Sequence, residues 1–146
     1  MTSLGITNGP APARLNVGVV SAGKVGTALG AALEQVGHVV GAVSAVSQQS
    51  RFRAAQRLPE SQILPVADVA SRSELLILAV PDDELSSLIA GLAATEAVPA
   101  GTIVIHTSGA NGVGILEPLT RQGIIPLAIH PAMTFTGHDE DVARLA

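Results

Sequence analysis

A chain of 146 residues with a net charge of −4 and Lys24 as its one lysine lacks the clustered cations that a nucleic-acid or anionic-membrane surface needs. With no cysteine it has no disulfide frame, thiolate metal site or thiol nucleophile. Hydrophobic residues make up 47% of it and aromatic ones 1%, so its core must be Val, Ile, Leu and Ala, which suits a sheet covered on both faces.

Residues 1–13, rich in Gly, Pro and Ala, have neither the basic nor the apolar region of a secretion signal. They read as a flexible tail. No apolar run reaches the roughly 18 residues of a membrane helix, and a cytoplasmic protein is expected. The Val-rich run Leu15–Val20 predicts a first strand. A turn follows at Ser21–Gly26, then a helix whose apolar positions Val25, Ala28, Leu29, Ala32, Leu33 and Val36 repeat at helical spacing up to Gly37. His38–Ser44 predicts a second strand and Gln48–Leu58 a helix carrying Arg51, Arg53 and Arg57. Ser61–Leu64 is a weak third strand, and Val66–Arg72 a short helical connection.

Glu74–Val80 is the clearest buried strand, closed by Pro81. The following helix starts at Asp82 and Asp83, where carboxylates favour the positive end of its dipole, and shows one apolar stripe of Leu85, Leu88, Ile89 and Leu92. Thr102–His106 predicts the fifth strand. A glycine-rich turn at Ser108–Gly114 leads to a short helix near Ile115–Gln122, and Ile124–Ile129 is the sixth strand. Strands alternating with helices predict an α/β fold with a doubly wound, mainly parallel sheet of the Rossmann type over residues 14–138. Residues 139–146 begin a further helix, and a truncated chain lacking a C-terminal domain is expected. The apolar surface left where that domain would dock favours self-association.

The glycine turn carries the chemistry. Ser21-Ala22-Gly23-Lys24-Val25-Gly26 matches the GxGxxG fingerprint of dinucleotide sites except that serine stands at its first glycine. Gly23 would let the backbone approach a pyrophosphate, Gly26 would let helix and strand pack closely, and the helix N-terminus would offer unpaired N–H groups. Ser21 can make the turn only with a negative or a mildly strained φ. Lys24 either faces a phosphate or stays solvated.

An NAD site usually places a carboxylate about 20 residues after the turn. Here no Asp or Glu occurs between Glu34 and Glu60, while Ser44, Ser47, Ser50, Arg51, Arg53 and Arg57 do. Hydroxyls with a guanidinium suit the 2′-phosphate of NADP(H); otherwise the arginines are a solvated helix face. Ser44, Ser47 and Arg51 are the residues expected there. Ala79, Val80 and Pro81 after the fourth strand, and Thr107 and Ser108 after the fifth, should line the cofactor crevice outside the strand ends. His106, Ser108 and His130 are the candidate catalytic groups, a histidine being suited to donate a proton to a carbonyl or imine that receives hydride; the other reading is that they only brace loops. His38 and His138 read as structural or solvated. Neither GxSxG, HExxH nor a P-loop is present, and no metal site is expected.

The phrases VGVVSAGKVGTAL, LLILAVPDDEL, VIHTSGANG and IHPAMTF together resemble a family of Rossmann-like reductases with a helical C-terminal domain. That family is similar in its N-terminal half to pyrroline-5-carboxylate reductase, ketopantoate reductase and 6-phosphogluconate dehydrogenase. The resemblance covers about residues 14–146. It implies an NADP-dependent oxidoreductase, dimeric through its helical domain, acting on a small-molecule substrate. Ketopantoate reduction, in pantothenate synthesis, is the most specific activity it implies. The alternatives are an imine reductase of the pyrroline-5-carboxylate type, or a regulatory module that binds NADP(H) without catalysis. The resemblance also implies that part of the catalytic machinery belongs to the second domain, so that this chain alone would be inactive.

Overall fold

The computed structural model describes residues 13–131 and 133–145. The tail expected at residues 1–13 therefore lies, but for residue 13, outside the described part. Six parallel strands form one sheet, β1 (Asn16–Val20), β2 (Val39–Val43), β3 (Gln62–Ile63), β4 (Leu75–Leu78), β5 (Ile103–His106) and β6 (Ile125–Ala128). Their spatial order is β3-β2-β1-β4-β5-β6. The chain runs outward from β1 to β3, then crosses back to lay β4 on the other side of β1. The order therefore reverses between β1 and β4, and a crevice opens there at the carboxyl ends of the strands.

Helices α1 (Lys24–Gln35), α2 (Gln48–Arg57), α3 (Val66–Ser71) and α4 (Asp82–Ala94) fill the crossovers. Strand alternation divides the core between two faces. Val17, Val19, Leu75 and Ile77 pack with Ala54 and Leu58 of the α2 region and Leu29 of α1. Val20, Leu76, Leu78 and Val104 pack with Val69, Leu85, Ile89 and Leu119 on the other face. Each fully buried Leu or Ile contributes about 1.5–3 kcal/mol relative to exposure, which is why near-absence of aromatics does not weaken the fold.

The strands are shorter than their apolar runs by a residue or more, except that β1 and β5 reach the expected ends at Val20 and His106. The helix expected near Ile115–Gln122 is a 3-10 turn at Val113–Leu116 that becomes α5 (Glu117–Thr120). Pro118 lies in the first turn of α5, where a missing N–H costs nothing. The acidic stretch after His138 forms α6 (Glu140–Leu145), which packs against α1.

Strand β6 is a sheet edge with apolar side chains outward. Ile125, Leu127 and Ile129 are each about half exposed, on the face that Ile105 shares with α1. Ile129 closes a small apolar groove with Leu33 and Leu145.

Candidate functional site: a cleft at the reversal of strand order

The ends of β1, β2 and β4 enclose an open cleft of about 680 Å³. Its floor is the turn after β1, Ser21-Ala22-Gly23. One wall is the end of β2 with the start of α2, including Ser44, Ser47, Ser50 and Arg53. The other wall is Val80 with Glu84 and Leu88 of α4.

The floor is built for close approach. Helix α1 begins at Lys24 with Gly23 as its N-cap, and no side chain caps it, which leaves its first N–H groups for an external acceptor. The first intrahelical bond runs from Thr27 N–H to the Gly23 carbonyl (3.1 Å), which also accepts the Thr27 hydroxyl (2.7 Å). An added Cβ at Gly26 would overlap the Ser21 carbonyl oxygen and come within 2.9 Å of Val19 and 3.2 Å of Ala79. Only hydrogen lets α1 seat this deeply between β1 and β4. A Cβ at Gly23 would meet only Ser21 Oγ, at 3.8 Å, so that position opens onto the cleft.

Ser21 takes the strained alternative, with φ +77°. Its N–H donates to Ser44 Oγ (2.8 Å). Ser44 is itself sewn to the turn, its carbonyl accepting from Ala22 N–H (2.9 Å) and its N–H donating to the Val19 carbonyl (2.9 Å).

On the β2 wall, Ser47 is the N-cap of α2 and accepts from Ser50 N–H (3.0 Å), and the Ser50 hydroxyl turns back to the Ser47 carbonyl (2.9 Å). Arg53 stands one helical turn from Ser50 and reaches the cleft. Arg51 is exposed and is not part of the cleft wall. The expectation is corrected: Arg53, three residues from Ser50, rather than Arg51, is the arginine whose side chain lines the cleft.

Lys24 lies beside Gly137 rather than in the cleft, and Val25 is half-buried in the first turn of α1. Of the residues after β4, Val80 lines the cleft, Ala79 packs behind Gly26, and Pro81 is the N-cap of α4. The sequence reading missed Glu84, Val66 and Leu88 as wall residues. The apolar stripe of α4 contained Leu88, but stripe membership alone does not separate core from crevice.

The groups after β5 lie outside this cleft. His106 is fully buried. Its Nδ1 accepts from Ser108 N–H (3.2 Å) and its Nε2 faces the Gly112 carbonyl (2.8 Å), so the ring proton sits on Nε2. Ser108 is buried as well, its hydroxyl accepting from Ala110 N–H (3.2 Å) and Asn111 Nδ2 (2.9 Å). Both side chains are spent on shaping the loop 107–112, which corrects the expectation that they act directly on a substrate. His130 is different. Its ring is exposed, lies against Gly109 where any Cβ would strike it, and approaches the Thr107 carbonyl (3.4 Å).

The segment before α6 is tied down. Asp141 is buried and accepts from the N–H groups of Thr136 and Gly137 and from the Thr136 hydroxyl. Burial pushes its carboxyl up, but these donors and the Arg57 charge outweigh that and hold it below the ordinary carboxylate value. Arg57 donates to the Gly137 carbonyl (2.7 Å) and pairs with Asp139 (3.5 Å). No cluster of His, Asp and Glu fit to hold a metal occurs among the described residues.

A parallel sheet with this strand order and a glycine turn at its reversal defines a dinucleotide-type α/β domain. A model of the Rossmann-like domain matches residues 1–131, and the chain belongs to the Rossmann-like domain family. No curated protein matches it. Among solved structures it is similar to a Bacteroides fragilis protein provisionally assigned as an NADP oxidoreductase, with 21% identity, a TM-score of 0.69 and coverage of 90% of this chain and 55% of that one. It is also similar to prephenate dehydrogenase from A. aeolicus, solved with hydroxyphenyl propionate and NAD+, with 17% identity, TM-score 0.65 and coverage of 85% and 43%. A third is pyrroline-5-carboxylate reductase from Coxiella burnetii, with 13% identity, TM-score 0.62 and coverage of 72% and 39%. At these identities the likeness is one of fold. The chain spans roughly half or less of each of these structures.

Proposed function

We propose that this chain is the cofactor-binding domain of an NADP-dependent reductase. One observation carries the reading: the cleft joins an uncapped helix N-terminus at Gly23 to a β2-side wall that presents Ser47, Ser50 and Arg53 and no carboxylate. The first-turn N–H groups of α1 would hold the pyrophosphate. The end of β2 would hold the ribose, with Arg53 as counter-charge to a 2′-phosphate. Glu84, on the opposite wall, leaves that counter-charge unopposed on the β2 side. A nicotinamide, when bound, supplies hydride.

For chemistry, His130 is the group of this chain that we assign to substrate. Its ring is exposed and seated on Gly109, so it is positioned by backbone and open to solvent on its far side. A small 2-oxo acid such as ketopantoate is the proposed substrate class. The fold shared with pyrroline-5-carboxylate reductase supports an imine as the second reading.

The test is NADPH consumption by the complete protein, substrate domain included, followed by the near-ultraviolet absorbance of the reduced ring, with ketopantoate and with pyrroline-5-carboxylate supplied separately. Turnover of one of them selects the reading. Tight NADPH binding without turnover of either would instead favour a regulatory module that senses the cofactor.

A further inference from the structure

Serine stands at position 21 in a backbone conformation that favours glycine, with φ +77°. Holding a non-glycine residue there is unfavourable, so something must over-determine the turn. The surroundings supply it. Ser21 N–H donates to Ser44 Oγ at 2.8 Å, and Ser44 is only 7% exposed, at the end of β2. Ser44 is in turn fixed by its own two backbone bonds to Ala22 and Val19. The hydroxyl is therefore a rigid acceptor aimed at one N–H, and β2 braces the loop that follows β1.

We propose that Ser44 is a positioning residue for the dinucleotide, acting through Ser21 by holding the strained turn in its binding shape, rather than a ligand of the 2′-phosphate. The proposal rests on the reading of the cleft as a dinucleotide site. Its chemical consequence is specific. The turn serves the pyrophosphate, which NADH and NADPH share, so loss of the brace weakens both cofactors alike. A residue that touched the 2′-phosphate would affect NADPH alone. Glycine at position 21 adopts a positive φ without strain, so Ser21→Gly should make the brace dispensable.

A double-mutant cycle tests this on the full chain, with wild type, Ser44→Ala, Ser21→Gly and the double variant. NADPH and NADH are titrated into each, and thermal stability is measured without cofactor. The expected result is that Ser44→Ala weakens both cofactors about tenfold when Ser21 is present and no more than about twofold when it is combined with Ser21→Gly, as coupled contacting residues do. Tm should show the same non-additivity. A loss confined to NADPH and equal in both backgrounds would overturn the proposal, as would additive Tm changes. If no variant binds either dinucleotide, the functional reading fails. The Tm cycle then still decides the brace, non-additivity upholding it and additivity refuting it.

Discussion

Gly26 in the first turn of α1 lies directly against the carbonyl of Ser21, with no room between them for a methyl group. The contact fixes how deep the helix sits between β1 and β4, and so where its free N–H groups point. Gly26→Ala should force the two apart. Overpacking of this kind costs about 1–3 kcal/mol. A fall in Tm of several degrees is expected, with a parallel loss of dinucleotide affinity. Gly23→Ala, where the added carbon meets only Ser21 Oγ at 3.8 Å, should leave Tm nearly unchanged and weaken binding. Thermal melts of the two variants, with and without NADPH, check both halves.

Arg53 and Arg51 should behave differently although they are two residues apart. Arg53 lines the cleft beside Ser50, and Arg51 is exposed outside it. A hydrogen bond to a charged group is worth about 1.5–3 kcal/mol. Arg53→Ala should therefore weaken NADPH at least about tenfold, by the usual conversion of free energy to affinity, and leave NADH unchanged. Arg51→Ala should change neither. Equilibrium titration of both variants with both cofactors is the measurement.

The difference between these arginines shows where reading the sequence stops. The alternation of strands and helices, the position of the glycine turn and the absence of a carboxylate after β2 are properties of local pattern, and they were legible. The choice of arginine was not legible: counting from the Ser47 cap leaves Arg51, four residues on, and Arg53, three beyond Ser50, both near that wall. The burial of His106 had no signal either. Its two ring partners, Ser108 N–H and the Gly112 carbonyl, come from the curl of a loop whose shape no periodicity records. Likewise, sequence reasoning could name the two conformations open to Ser21 but not choose between them, because the brace comes from Ser44, 23 residues away.

His106 should prove a stability residue. Replacing it with alanine leaves the Ser108 N–H and the Gly112 carbonyl without their partner in a site of zero exposure. The lost volume and the unmet polar groups together should cost about 2–5 kcal/mol. Urea unfolding of His106→Ala should show a much lower midpoint. His130→Ala, at an exposed ring, should leave the midpoint nearly in place and, in the complete protein, reduce turnover.

Acid should loosen α6 before the sheet. The Asp141 carboxyl is held below its ordinary value of 3.8 in the folded chain, so the unfolded chain binds the proton more readily. Its contribution is therefore fully present above that value and is lost as pH falls through the lower folded value. Wild type should exceed Asp141→Ala in thermal stability at neutral pH, and the gap should shrink as pH drops below 3.8. Amide protection at Val142, taken relative to the intrinsic exchange rate at each pH, should be lost there ahead of protection at Leu76 in the sheet.

The most direct measurement of the central claim is calorimetric titration of the chain with NADPH and, in a separate cell, NADH. The account predicts binding of both, with NADPH the tighter by at least about tenfold, the worth of one charge-assisted contact to the 2′-phosphate. Equal affinities, or NADH the tighter, would contradict the assignment of the Ser47–Arg53 wall, and binding of neither would contradict the dinucleotide site itself.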